Sequence, residues 1–147
     1  CISRGDEEVI SLPFARQAGF YPADYRLEAC PVTPSLADGA QFSVGRLKVT
    51  VFDTPGHCRG HVSLLVEGGE RVYLISGDLV FWGGTIIAQN IHDCSIQEYG
   101  QSVLKMAKVD YDAHLPGHFT ISLRNGKRHM DRAAHQFGQL MIPRNAI

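Results

Sequence analysis

The sequence predicts a layered fold of the α/β class, α+β in its ordering, and three observations carry that expectation. Leu47, Val49 and Val51 alternate with Lys48, Thr50 and Phe52, the period-two pattern of a strand. Ser95 stands three residues before Glu98, a helix-starting signature, and Ile96, Tyr99, Val103 and Met106 behind it share one helical face. Met130, Ala133, Ala134 and Phe137 form a second such stripe. Strands preceding helices in mixed order suit a sheet covered by helices.

Taken in order, a short helix is expected from Asp6 to Ile10, with acids in its first turn. Phe20 to Leu36 reads as loop, because Pro22, Pro31 and Pro34 interrupt a stretch with few periodic apolar positions. Asp38-Gly39 marks a turn. The strand containing Leu47 stops at Pro55-Gly56. Val62 to Val66 is a second strand, and Glu67-Gly68-Gly69-Glu70 turns into a third, Arg71 to Ile75. The helix capped by Ser95 runs from Ile96 to Lys108, with Gly100 lowering its intrinsic propensity. A short strand, Ala113 to Leu115, leads into Pro116-Gly117, and the Met130 stripe gives the last helix. No solenoid repeat or low-complexity segment is present.

The 147 residues suffice for one domain with a core that needs no staples. Fourteen Lys plus Arg against fifteen Asp plus Glu give a net charge of -1, which excludes the basic excess expected of a nucleic-acid or anionic-membrane binder. No apolar run reaches bilayer-spanning length, and Arg4, Asp6, Glu7 and Glu8 stand where a signal peptide needs its apolar core. Cys1, Cys30, Cys58 and Cys94 make no CxxC and no disulfide framework, so a reduced, cytoplasmic setting is expected. A chain starting at Cys1 rather than Met is expected to have lost its natural start.

Three places repeat one plan: an apolar strand, a glycine, then a side chain of metal-ligand type. They are Gly56-His57, Gly77-Asp78 and Gly117-His118. Glycine lets the backbone turn and approach an ion or substrate closely, and the strand behind it fixes the ligand. Singly, a Gly-His caps turns and a Gly-Asp is more often a turn or N-cap residue. Together, three such ends at one sheet rim would converge two imidazoles and a carboxylate, a set suited to zinc, iron or manganese.

Thr54-Pro55-Gly56-His57-Cys58-Arg59-Gly60-His61, then Ser76-Gly77-Asp78, then Leu115-Pro116-Gly117-His118 resemble, in order and spacing, the last three metal motifs of the metallo-β-lactamase superfamily. Asp38-Gly39 ahead of the first strand also matches, and the resemblance covers about Asp38 to Phe137. It implies an αββα sandwich with a one- or two-metal site at the edge between its sheets. His57 would then bind the first metal and His118 the second, with Asp78 bridging as the catalytic carboxylate. An Asp rather than a Cys at 78 resembles the broad hydrolase branch more than one class of true β-lactamases. The family's His-x-His-x-Asp-His run is absent. The histidines are His57, His61, His92, His114, His118, His129 and His135, and no two stand at His-x-His spacing. Residues 1–147 are therefore expected to be a single incomplete domain, the C-terminal portion of a longer protein with its N-terminal part missing.

The other residues carry less. His61, four after His57, is read as a group orienting a ligand, with a hydrogen-bonded turn residue as the equal alternative. Phe81 and Trp82 either wall a substrate pocket or, by default, pack in the core. Cys58 is expected to be a buried inert thiol, and Asp93 to belong to the turn before Ser95. His129 and His135 are placed on the solvated side of the last helix.

The function expected from the resemblance is a metal-dependent hydrolase of small esters, thioesters or lactones, using metal-activated hydroxide. Two zinc ions are implied for the intact site, with the chain itself binding metal weakly or not at all. Glutathione-thioester hydrolases lose ground because Phe81-Trp82-Gly83-Gly84-Thr85 lacks their Gly-Arg pair, and tRNA-processing nucleases because no basic surface is expected. The alternative is a non-catalytic binding or assembly domain. The partner is a small-molecule substrate, without nucleic acid or membrane, together with self-association through an open sheet edge.

Overall fold

The computed structural model describes residues 37–147; the expected Asp6–Ile10 helix and the expected Phe20–Leu36 loop lie outside the described residues. One five-stranded sheet runs in sequence order: β1 (Gln41–Val44), β2 (Leu47–Asp53), β3 (Val62–Glu67), β4 (Tyr73–Gly77) and β5 (Ala113–Pro116). The first four strands are antiparallel neighbours, and β5 alone joins in parallel, beside β4. A parallel neighbour needs a crossover. Here it passes through a 3-10 turn at Trp82–Gly84 and helix α1 (Ile96–Met106), and helix α2 (Lys127–Gly138) follows β5.

The register assigns the faces. Thr50 opposes Leu65, and Leu65 opposes Leu74. Leu65 and Leu74 join Leu79, Val80, Ile86, Tyr99, Val103, Met106, Met130 and Ala133 in one core, with Phe52 and Phe137 packed against it. The expected helical stripes of α1 and α2 supply much of that core. Val51, Leu64 and Ile75 line up on the opposite face, and Ile75 is exposed. Strand β2 is thus apolar toward both faces, which its simple alternation did not indicate.

The boundaries moved where local hydrogen bonding outcompeted periodicity. Strand β1 was not expected: Gln41 and Ser43 are polar, all four residues are exposed, and Phe42 and Val44 alone give too short a pattern. It is held by pairing Val44 with Leu47 across a tight turn at Gly45. The third expected strand starts at Tyr73 rather than Arg71. Val72 turns away to Asp112 and Ala113: its N–H donates to the Asp112 carboxylate, and its carbonyl accepts from the Ala113 N–H. Helix α1 ends at Met106, and Ser95 Oγ accepts the Glu98 N–H at 3.3 Å, the expected cap.

The expectation for His129 was wrong. It is buried at 4% exposure, tying three segments together: Gly83 N–H donates to its Nδ1 at 3.0 Å, which leaves Nε2–H to donate to Ser122 Oγ at 2.9 Å. A histidine with both nitrogens satisfied can be buried despite its polarity. His135 is exposed, as expected. Cys58 is half-buried rather than fully buried, because it sits in the turn after His57 instead of inside a strand.

Candidate functional site

The parallel pairing of β4 and β5 explains why two distant loops meet. Both strands run the same way, so Gly77-Asp78 and Gly117-His118 leave the sheet side by side, joined by the Gly117 N–H to the Gly77 carbonyl at 2.7 Å. Gly56-His57, beyond the end of β2, reaches the same rim. The structure brings all three expected side chains together: His57 Nε2 lies 3.5 Å from Asp78 Oδ2, and His118 Nδ1 lies 2.8 Å from Asp78 Oδ1. Asp78 and His57 are mostly covered, while His118 is largely open.

The glycines are required by close approach. Gly77 has φ +51°, and a Cβ there would stand 2.5 Å from His61 Nε2. A Cβ on Gly117 would stand 2.5 Å from Asp78 Oδ1 and displace the carboxylate.

Asp78 is clamped through its own peptide. Its N–H donates to His61 Nε2 at 2.9 Å, and its carbonyl accepts the Tyr99 hydroxyl. Accepting at Nε2 makes Nδ1 the protonated nitrogen of His61, which donates to the Thr54 carbonyl at 3.0 Å. Burial, reinforced by the His57 charge, pushes the His61 imidazole down to about 4, so the neutral form that this geometry needs holds at neutral pH. His61 therefore acts on the backbone of the expected bridging residue. Tyr99 was read only as a core residue; its hydroxyl had no signal in the helical stripe.

Behind the clamp lies a buried polar chain. Thr54 Oγ1 pairs with Ser63 Oγ at 3.0 Å, and Ser76 Oγ with His114 Nε2 at 2.7 Å. Burial, then the neighbouring His129, pushes His114 down to about 4. Sequence reasoning gave His114 no role.

The donor chemistry can be tested against a metal ion. His57 Nδ1 is 2.9 Å from the Ile87 carbonyl and must be the donor there. Nε2 then faces a carboxylate oxygen, a pair that is bridged by a proton or a cation. Two donors on one tetrahedral zinc stand roughly 3.4 Å apart, close to the 3.5 Å observed. The His118–Asp78 contact, at 2.8 Å, is a hydrogen-bond distance instead. The His57–Asp78 pair thus fits a metal ion, but among the described residues no group of three or more His, Cys, Asp or Glu side chains is arranged to hold one.

Beside His118 lies a cavity of about 300 Å³ lined by Phe81, Trp82, Thr85, Phe119, Thr120, Arg144 and Ala146. The Phe81 ring is 6.4 Å from that of His118 and 5.1 Å from that of Phe119. Phe81 is fully buried, so it packs in the interior and lines this cavity with one edge, whereas Trp82 is half-exposed and belongs to the cavity wall.

Comparison with known proteins follows the same lines. A family model described as the metallo-beta-lactamase superfamily matches residues 9–118. An acyl-coenzyme A thioesterase of Homo sapiens is 35% identical over 81 residues, 55% of this chain and 27% of that protein. A hydroxyacylglutathione hydrolase of Neisseria gonorrhoeae is 32% identical over 87 residues, 56% of this chain and 34% of that protein. The chain thus spans about a quarter to a third of these relatives' length. The solved structure of MIM-2 metallo-beta-lactamase superposes with a TM-score of 0.66 at 19% identity, covering 95% of this chain and 56% of that one, a likeness of fold. Among the described residues no helix is long and apolar enough to cross a membrane.

Proposed function

The chain belongs to the metallo-β-lactamase superfamily, and we propose that it carries part of the active site of a metal-dependent hydrolase of small thioesters and related esters or lactones. The observation that carries this reading is His57 Nε2 standing 3.5 Å from the Asp78 carboxylate, whose residue has its peptide clamped from both sides. His57, Asp78 and His118 would be the residues that hold metal here, zinc by the nitrogen and oxygen donor set. When bound, such ions lower the pKa of water toward neutrality and polarise the oxygen of the scissile bond. The chain's own contribution is orientation. The Ile87 carbonyl fixes the His57 ring, and His61 with Tyr99 fixes the Asp78 backbone.

A relative named as an acyl-coenzyme A thioesterase and one named as a hydroxyacylglutathione hydrolase support the substrate class. The match to a hydroxyacylglutathione hydrolase keeps glutathione thioesters within it, although Phe81–Thr85 lacks the expected Gly-Arg pair. The exposed edge strand β1 supports self-association as a further property of the same chain.

Thiol release from acyl thioesters by the whole protein, loaded with zinc, tests the reading. Wild type turns over, and Asp78→Asn loses about 100-fold or more in kcat/KM. A zinc-loaded protein that binds thioesters without releasing thiol would instead establish the non-catalytic binding domain.

A further inference from the structure

We propose that the cavity beside His118 is a substrate-recognition pocket for an apolar, preferably aryl, arm ending in an anionic group, with Arg144 as the anion's partner. The inference rests on the hydrolase reading for its connection to turnover, but the pocket itself is argued from its own residues.

Its walls are unusual for a surface. Phe119 holds φ +65°, a conformation costly for a bulky side chain, and the residue is 65% exposed in it. That ring stands nearly perpendicular to Phe81, at an interplanar angle of 89°. Trp82, on the 3-10 turn, forms the second exposed wall, and its orientation is fixed from behind by His129, whose ring lies 4.6 Å away. Three aromatic rings around about 300 Å³ match the lower end of pockets that take small ligands.

The charged element at this pocket is a cation, Arg144, beside the hydroxyl-bearing Thr85 and Thr120. Lys48, Lys105 and Lys127 are each paired with a carboxylate, and Arg128 stacks on Trp82 at 5.1 Å. Arg144 lines the pocket, is exposed, and among the described residues has no carboxylate or ring partner. A planar guanidinium with free donors at the mouth of an aromatic slot suits a carboxylate or phosphate attached to an apolar arm. Because Phe119 follows His118 directly and Phe81 contacts it, an arm seated here would place the neighbouring acyl carbon beside His118 and Asp78.

Trp82 is the single tryptophan, so its fluorescence reports on the pocket. The experiment titrates the 147-residue chain, without added metal, with 4-phenylbutyrate and, separately, with its neutral amide. The carboxylate should give a saturable change and bind more tightly than the amide. Arg144→Gln should weaken the carboxylate by about tenfold while leaving the amide unchanged. Phe119→Ala, at an exposed position that tolerates truncation, should weaken both. Equal binding of carboxylate and amide, carboxylate affinity unchanged by Arg144→Gln, or no saturable change at all would overturn the proposal. No turnover is read, so the pocket can fail while thioester hydrolysis stands, and the reverse.

Discussion

His114 supplies a pH dependence that can be worked out from its surroundings. It is 1% exposed, bonded to Ser76 Oγ, and faces His129 at 6.0 Å between ring centroids. Burial first, and the neighbouring His129 second, press it from about 6.5 in the unfolded chain down to about 4. A histidine with a depressed folded value binds its proton in the unfolded state first. The stability it contributes is therefore complete above pH 6.5 and is lost as pH falls from there toward 4. Across the whole window the loss is roughly 3 kcal/mol, and by pH 5 it is already about 2 kcal/mol. Urea unfolding at pH 7.5, 6 and 5, on wild type and His114→Gln, measures this. His61, also pressed to about 4, and His129, pressed down by burial, act in the same direction. Wild type should therefore lose more than 2 kcal/mol between pH 7.5 and 5, and the variant should lose about 2 kcal/mol less over the same interval. The comparison is of slopes, so a variant that is less stable at every pH remains informative. Equal slopes in the two proteins would refute the assignment of a neutral, buried His114.

Calorimetric zinc titration of the 147-residue chain should show weak binding or none, since among the described residues no group of three or more ligand side chains is arranged to hold a metal; tight stoichiometric binding abolished by His57→Ala or His118→Ala would show a self-sufficient site instead. Gly117→Ala places a methyl group 2.5 Å from Asp78 Oδ1 and should cost about 1–3 kcal/mol in urea unfolding; an unchanged midpoint would mean that the carboxylate moves aside freely. Sedimentation velocity should show concentration-dependent association, reduced by Val44→Lys on the exposed edge strand. A monomer at every concentration would remove β1 as a contact surface.

How far the site could be read in advance depended on how each residue is held. His57, Asp78 and His118 were legible because each follows a glycine at the end of a strand, a local pattern that survives in one dimension. Strand β2 and helix α1 were legible for a similar reason, alternation in one and a cap with a stripe in the other. His129 was misplaced because its burial depends on partners elsewhere in the chain, Gly83 and Ser122. One trace existed: it stands four residues before Ala133 and so borders the apolar stripe of α2. The Tyr99 clamp and the Arg144 pocket left no comparable trace. Tyr99 lies 21 residues from Asp78, and Arg144 meets Trp82 because Ile86 N–H donates to the Arg144 carbonyl, and Asn145 and Ala146 bond Ala88 and Ile86, seating the C-terminal segment beside the turn. Such contacts belong to the tertiary arrangement.

The parallel seating of β5 on β4 also determines where this architecture can grow. Asp78 and His118 are 40 residues apart, and the chain between them must close as one long loop to bring them together. Closure entropy grows only with the logarithm of that length, so ten more residues in it would cost roughly 0.2 kcal/mol. Asn90 and His92 are exposed in this stretch, between the turn that carries Trp82 and the cap of α1. Additional chain inserted there would leave both strands in register and the carboxylate in place. The crossover is therefore a segment in which new loops can be added around the rim that carries Asp78 at almost no thermodynamic penalty.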